Sequence, residues 1–131
     1  YYMNEISAAI GLIQLKKLDV LNQKRKNTAK EYHNRIHLKN KMPFSNDCSY
    51  HYYWIRVKNR SEFMRKMRKN GIETGIHYKP VHLMSYYKKK MKLPISELIG
   101  DEIVSLPTHP NLNEKNVNKI ISLVNKIGKD Y

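Results

Sequence analysis

The chain has 131 residues, of which 40% are apolar and 27% are charged, and this balance is typical of a folded globular domain rather than a disordered tail. Its length favours a single domain. The mean hydropathy is −0.71 and no apolar run approaches the ~20 residues of a membrane span, which excludes a transmembrane segment. No cationic segment followed by an apolar one opens the sequence, so we expect no secretory signal. The single cysteine, Cys48, excludes an internal disulfide and indicates a reducing, cytoplasmic setting.

The net charge is strongly positive, because 25 Lys and Arg residues stand against 11 Asp and Glu residues and give +14. One interpretation is a domain that binds nucleic acid or another polyanion. The other is a lysine-rich solvated surface. The basic residues form short scattered groups rather than one arm, at positions 16–17, 24–26, 65–69 and 88–90. Their scatter favours the solvated surface.

The first third of the chain predicts helix. Asn4 has the side chain of an N-cap, and Glu5 places an acid in the first turn. Apolar residues at helical spacing then form one face: Ile6, Ala9, Ile10 and Ile13. Beyond them the apolar face shifts to new positions: Leu18, Leu21, Thr28, Ala29, Tyr32 and Ile36. The shift predicts a kink or a second helix near residues 16–19, and it leaves a connecting helix between domains and a two-helix hairpin both open. Gly11, inside this helix, predicts the close approach of another backbone.

The next elements alternate between strand and helix. Residues 39–49 are polar, contain Pro43 and predict a loop, whereas residues 51–58 alternate as a strand with an inward face of Tyr53, Ile55 and Val57. A short amphipathic helix follows, capped by Ser61 and ended by Gly71, with these residues inward: Phe63, Met64 and Met67. Residues 72–78 predict a second strand, which Pro80 stops.

The last third predicts a loop or short helix over residues 81–92, a helical turn from Pro94 to Gly100, and a short strand over residues 103–106. Asn113 then caps a final helix with an apolar stripe: Val117, Ile120, Ile121, Val124 and Ile127. The whole order predicts an α+β fold. It begins with a long N-terminal connecting helix or helix pair and continues with a small, mostly antiparallel sheet on which helices pack.

Several common kinds of chemistry find little support in the sequence. The histidine pairs His33/His37 and His77/His82 lack a third ligand nearby, so we predict no metal site. Nothing near Cys48 completes a Cys–His nucleophile, and the chain has no glycine-rich phosphate loop. The aromatic cluster at residues 50–54 offers stacking surfaces for bases, but a buried strand face explains it with fewer assumptions.

The stretch from Gly71 to Met84, G-I-E-T-G-I-H-Y-K-P-V-H-L-M, carries the densest chemistry. A strand that ends at His77 and Tyr78, followed by a turn at Pro80, would bring Lys79 and His82 to the same edge. Imidazole, phenol and ammonium groups displayed together suit a phosphate or a hydroxyl-rich ligand. A structural turn whose polar groups are internally satisfied remains the alternative.

Three motifs in the same order carry a resemblance to a known family. They are Y-Y-M-N-E-I-S-A-A-I-G-L-I-Q-L-K-K-L at residues 1–18, H-Y-Y-W-I-R-V with G-I-E-T-G-I-H-Y-K-P-V-H-L within 51–83, and L-P-T-H-P-N-L at 106–112. Together they resemble the C-terminal region of the DegT/DnrJ/EryC1/StrS family of pyridoxal-phosphate-dependent sugar aminotransferases. The resemblance runs over the whole chain. It implies the C-terminal small domain of a fold-type I aminotransferase, with an interdomain helix region at residues 1–38 and a small α+β domain at residues 39–131.

The resemblance also implies what lies elsewhere in such an enzyme. In the family the Schiff-base lysine, the aromatic residue that stacks on the cofactor ring and the carboxylate that faces the pyridine nitrogen precede this region. We therefore expect pyridoxal phosphate in a much longer parent enzyme. We expect no covalently held cofactor and no activity from this chain alone.

The resemblance implies transfer of an amino group from an amino acid, with glutamate as the expected donor, to a nucleotide-linked keto sugar in the synthesis of cell-surface polysaccharide or glycan. It implies these substrate contacts: His77, Tyr78, Lys79 and His82. It places these residues near the cofactor phosphate or the dimer interface: Tyr1, Tyr2, Met3 and Asn4. Tyr2 stands where the family usually has arginine, which puts that contact in doubt. The expected setting is a cytoplasmic homodimer without membrane or nucleic-acid partners, and the alternative function is a stand-alone basic module that binds nucleic acid or another polyanion.

Overall fold

The computed structural model describes residues 2–87 and 91–130. The helices over this part of the chain are α1 (Glu5–Arg35), α2 (Arg60–Lys69), α3 (Pro94–Glu102) and α4 (Glu114–Ile127), with 3-10 turns at Val81–Leu83 and Gly128–Asp130. The strands are β1 (Tyr53–Arg56) and β2 (Ile103–Leu106). The α+β prediction is confirmed.

The two strands form an antiparallel pair in which Tyr53 lies opposite Leu106 and Arg56 lies opposite Ile103. The predicted alternation of β1 is confirmed, since Tyr53 and Ile55 are buried, as is Val57 just after the strand. Strands with one buried face fix their register, because a slip by one residue would turn that face outward.

The predicted strand over residues 72–78 is wrong. Only Gly75 joins the sheet, through an isolated bridge in which its N–H donates to the Ser105 carbonyl at 3.0 Å and its carbonyl accepts the Ser105 N–H at 2.8 Å. Beyond Gly75 the ladder stops, and Ile76 is 40% exposed rather than packed on the sheet. The His77 ring contacts the side chain of Ser105 there, so side-chain packing rather than further backbone pairing holds the segment.

Helix α1 is one continuous helix of 31 residues, so the alternative of a second helix starting near residues 16–19 is wrong. Its C-terminal half packs on the sheet and α4, with Thr28, Ala29 and Tyr32 buried. The apolar side chains of its N-terminal half are exposed to solvent, for example Ile6, which is 75% exposed. The apolar face is free to shift along one continuous helix because only the second half packs on described residues. No described atom lies within 4 Å of the position that a Cβ would take at Gly11, so the close approach predicted there is absent from this part of the structure.

The caps of the shorter helices agree with the sequence in part. At α4 the prediction is confirmed, since Asn113 Oδ1 accepts the Asn116 N–H at 2.8 Å and the predicted stripe is buried. Helix α2 begins earlier than predicted, because the cap is Asn59, whose Oδ1 accepts the Glu62 N–H at 3.3 Å. Ser61 therefore lies inside the first turn instead of capping it.

Two buried tyrosines tie α1 to the sheet. The rings of Tyr32 and Tyr53 meet edge to face with centroids 5.4 Å apart. Each hydroxyl donates to a backbone carbonyl, Tyr32 to Pro107 at 2.7 Å and Tyr53 to Met42 at 2.9 Å. Burial raises the pKa of both phenols above the usual range. Since the polar tips are paired, the rings stabilise the core without leaving unsatisfied hydroxyls.

Candidate functional site

His77 is the best-anchored polar side chain of the predicted site. Its ring stacks on Tyr52 with centroids 5.3 Å apart and planes 10° from parallel. Its Nδ1 lies 2.9 Å from the Ser105 hydroxyl. The stack fixes the plane of the ring and the hydrogen bond fixes its rotation. The imidazole is therefore held in one orientation before any ligand arrives.

The backbone beside His77 has to be glycine. A Cβ at Gly75 would lie 2.8 Å from His77 Cε1, closer than real Cβ contacts. The absent side chain lets the ring fold back over the chain toward Ser105. The pairing of Gly75 with Ser105 and the His77–Ser105 bond thus belong to one local arrangement.

Tyr78 and Lys79 are exposed beside this anchored ring. The Tyr78 ring meets the His77 ring edge to face at 4.8 Å and is 65% exposed. Lys79 is exposed as well. The fold therefore brings His77 and Tyr78 together, as predicted, and leaves a phenol and an ammonium group accessible next to a fixed imidazole.

His82 lies in a different environment. Its Nε2 is 3.0 Å from Glu97 Oε1, and its side chain is only 9% exposed. The same carboxylate oxygen accepts the Leu93 N–H at 2.9 Å, and these two hydrogen bonds hold the pKa of Glu97 below its usual range. His82 borders a small cleft of about 400 Å³ together with Pro80, whereas His77 borders a larger one. The predicted grouping of His82 with His77 at one strand edge is not what the fold produces.

The larger cleft has a volume of about 720 Å³ and opens between α1, α4, the start of the 71–77 segment and the end of β2. Its polar lining includes Arg25, His51, Tyr52, Ser105, His109 and Lys119. The sequence places Tyr52 on a strand face and Ser105 within the short strand predicted over residues 103–106. The signal that could have marked Ser105 is a hydroxyl in the middle of the otherwise apolar run I-V-S-L.

The N-terminal residues of the predicted site show little contact with the rest. Tyr1 lies outside the described residues, and Tyr2 and Met3 are exposed. Asn4 is the N-cap of α1, and its Oδ1 accepts the Ser7 N–H at 2.8 Å. A helix-capping role accounts for Asn4 by itself.

The lining of the larger cleft does not fit pyridoxal phosphate. A Schiff-base lysine and a carboxylate on the pyridine nitrogen both need shelter from water. Lys119 and Glu73 border the larger cleft, but both are exposed, and Glu73 is already paired with Arg68 at 3.1 Å. Neither residue therefore offers the cofactor a sheltered contact in this cleft.

The described residues contain neither a metal-binding cluster nor a membrane-spanning helix. Residues 2–87 and 91–130 contain no group of three His, Cys, Asp or Glu side chains placed to hold a metal ion. None of the described helices is long and apolar enough to cross a bilayer.

The fold defines this chain as an α+β domain of the kind found in sugar aminotransferases. It superposes on Helicobacter pylori PseC, an aminotransferase of pseudoaminic acid biosynthesis, with a TM-score of 0.87 and 29% identity. It also matches S. venezuelae DesV, solved with a ketimine intermediate, with a TM-score of 0.89 and 28% identity, and the aminotransferase TlmJ from Streptoalloteichus hindustanus, with a TM-score of 0.87 and 28% identity. The chain belongs to the DegT/DnrJ/EryC1/StrS aminotransferase family, whose model matches residues 1–125.

The matches cover almost all of this chain but only a part of each relative. PseC is matched over 100% of this chain and 39% of its own, DesV over 97% and 37%, and TlmJ over 95% and 36%. The 131 residues therefore span little more than a third of the solved aminotransferases that they resemble.

Proposed function

We propose that these residues are the C-terminal part of a longer pyridoxal-phosphate-dependent enzyme that moves an amino group from glutamate to a nucleotide-linked keto sugar for cell-surface polysaccharide or glycan synthesis. The family match over residues 1–125 carries the proposal. The solved relatives add support, because Spr1654 from Streptococcus pneumoniae is described as a sugar aminotransferase in both a pyridoxal-phosphate and a pyridoxamine-phosphate form.

The proposed domain organisation is an interdomain helix region at residues 1–38 and a small domain at residues 39–131. The exposure of α1 supports it. Ile6, Ile10 and Ile13 are 75%, 57% and 49% exposed. Fully burying an isoleucine side chain contributes about 1.5–3 kcal/mol, so covering these partly exposed side chains contributes a corresponding fraction each. We propose that the rest of the polypeptide, or a second copy in a homodimer, covers this half of the helix. We propose a cytoplasmic enzyme.

In the proposed site, His77 contacts the substrate from a fixed position, and Tyr78 and Lys79 supply a hydroxyl and a positive charge to the diphosphate-linked sugar. The stack on Tyr52 and the bond to Ser105 support this, since a preoriented donor loses little freedom on binding. His82 keeps only Nδ1 for a ligand, because Nε2 is engaged with Glu97. We propose that Tyr1, Tyr2, Met3 and Asn4 lie near the cofactor phosphate or the dimer interface.

Pyridoxal phosphate supplies the electron sink of amino transfer when it is bound. We place it on the rest of the polypeptide, so this chain contributes substrate binding and orientation and has no activity alone. The alternative function, a basic module for nucleic acid or another polyanion, has weaker support. Part of the positive charge is neutralised locally, since Arg35, Arg56, Arg65 and Arg68 each pair with a glutamate.

The test measures amino transfer by the natural polypeptide that carries these residues, with glutamate and a nucleotide-linked keto sugar. Lys79→Gln should raise KM about tenfold and leave kcat nearly unchanged, because it removes a charged contact to the bound phosphate. Lys58→Gln, an exposed lysine outside the site, serves as the control and should change neither constant. Absence of amino transfer by the natural polypeptide would contradict the proposal, as would turnover by the 131 residues alone.

A further inference from the structure

The larger cleft carries more positive charge than its walls neutralise. Arg25 reaches it from the middle of α1 and Lys119 from α4. Glu73, the carboxylate in its lining, is bound to Arg68 at 3.1 Å. Neither Arg25 nor Lys119 makes an ion pair with a described carboxylate. Two cations from different elements that share a cleft without a counter-charge repel each other unless an anion lies between them.

Both cations keep N–H donors that have no described hydrogen-bond partner. One Arg25 N–H donates to Asn22 Oδ1 at 3.1 Å, which orients the half-buried guanidinium and leaves its other N–H groups without a described partner. The Lys119 ammonium has no described hydrogen-bond partner. It lies 3.7 Å from the position that a Cβ would take at Gly71, whose φ is +74°. The lysine therefore runs past the Gly71 backbone along the cleft wall.

The remaining walls indicate what kind of anion would fit. Ile72, Leu106, Leu112 and Ile120 form apolar walls, and Asn116 adds a side-chain amide. A volume of about 720 Å³ exceeds what an inorganic ion fills and falls within the range of small-molecule sites, roughly 300–1,000 Å³. Paired cations beside apolar walls suit a molecule with a charged end and an apolar body.

We propose that this cleft binds a small organic phosphate, with Arg25 and Lys119 holding the phosphate group and the apolar walls holding the organic part. Arg25 offers its guanidinium fork to two phosphate oxygens, and Lys119 adds a point charge. This binding involves no covalent step. His77 borders the same cleft, but the proposal concerns a different pair of residues and is measured by binding rather than by amino transfer.

The experiment is calorimetric titration of the natural polypeptide with phenyl phosphate, inorganic phosphate and phenol. Phenyl phosphate should bind about tenfold more tightly than inorganic phosphate, because only the ester reaches the apolar walls, and phenol should not bind measurably. Lys119→Gln and Arg25→Gln should each weaken phenyl phosphate binding by about tenfold or more, since each removes a charged hydrogen bond.

Matched controls lie on the same two helices. Lys126→Gln removes an exposed charge about 10 Å farther along α4, and Lys24→Gln removes the exposed charge next to Arg25, so both should leave the affinity within roughly twofold. Equal losses in the controls, equal binding of phenol, or inorganic phosphate binding as tightly as the ester would overturn the proposal. So would the absence of phenyl phosphate binding. Lys119→Gln is the decisive variant because its exposed side chain makes no described contact that folding needs. The amino-transfer assay remains a separate measurement, so failure of either idea can be recognised.

Discussion

Two helical glycines provide a paired test of how the segment around Pro80 is packed. Gly100 lies buried in α3, and a Cβ there would lie 2.5 Å from Pro80 Cδ and 2.6 Å from Pro80 Cγ. Gly11 lies in α1, where a Cβ would meet nothing within 4 Å. The same substitution, glycine to alanine, therefore enters a closed contact at one position and open space at the other.

The expected effects follow from two opposing contributions. Alanine favours a helix over glycine by about 1 kcal/mol at either position. Overpacking costs about 1–3 kcal/mol, and the rigid proline ring at Gly100 cannot swing aside as a flexible side chain would. Gly100→Ala should therefore lower the free energy of unfolding by about 0–2 kcal/mol. Gly11→Ala should leave it unchanged or raise it by up to about 1 kcal/mol.

The assay is urea unfolding followed by circular dichroism, with both variants and the unmodified chain under the same conditions. The informative quantity is the difference between the two variants, expected at about 1–3 kcal/mol, because the helix-propensity gain cancels from it. A Gly100→Ala variant as stable as Gly11→Ala would refute the packing of α3 on Pro80. The result also bears on the site, since Pro80 links Lys79 to the turn that carries His82.

Three further predictions concern the core and its response to pH. Tyr32→Phe should lower stability by about 1–3 kcal/mol in urea unfolding, because it leaves the Pro107 carbonyl without its buried donor. Phe63→Ala should cost about 3–5 kcal/mol in the same measurement, since this fully buried ring leaves a cavity. The Leu93 N–H lowers the pKa of Glu97, so the unfolded chain binds more protons in acid. The stability that this carboxylate contributes is therefore complete above the ordinary pKa of 4.5 and is lost as the pH falls through the lower folded value. Glu97→Gln should flatten the acid limb of a plot of stability against pH, and an unchanged slope would contradict this assignment.

Elements whose pattern reflects contacts along a single face were predictable from the sequence. The alternation of β1 and the apolar stripe of α4 are set by which side of each element meets the core, and both faces are buried as predicted. The cap at Asn113 was predictable for a similar reason, since an asparagine just before the first turn of a helix has a local function.

The segment from residue 72 to 78 could not be assigned from local pattern. Its β-branched and aromatic residues fit a strand, but its conformation depends on Ser105, 28 positions from His77 in the sequence. The His77 ring replaces the next rung of the ladder, and Gly75 makes room for it. A contact of this kind is set by the tertiary fold, so propensity alone favours the wrong structure.

In the candidate site, contacts between neighbours in the sequence were predictable, whereas contacts that depend on the packing of other elements were not. Adjacency in sequence brings His77 and Tyr78 together, and their rings are in contact. His82 follows within five residues but turns to Glu97, a partner that only the docking of α3 supplies. Sequence proximity therefore predicted ring contacts across one peptide bond and failed across the turn at Pro80.

The bare surfaces of the fold bear on the proposed role as part of a larger enzyme. Apolar side chains remain exposed along the first half of α1 and again beyond His77, as at Tyr78, Val81 and Tyr86. Large exposed apolar side chains in such number are typical of surfaces that another part of a protein covers. The related aminotransferases have more than one and a half times this chain's length in addition to the part that it matches, which is ample polypeptide to cover such surfaces. Because Tyr78 belongs to the exposed set, a covering surface would also enclose the proposed substrate contacts and exclude water from them, so assembly and completion of the site would be one event.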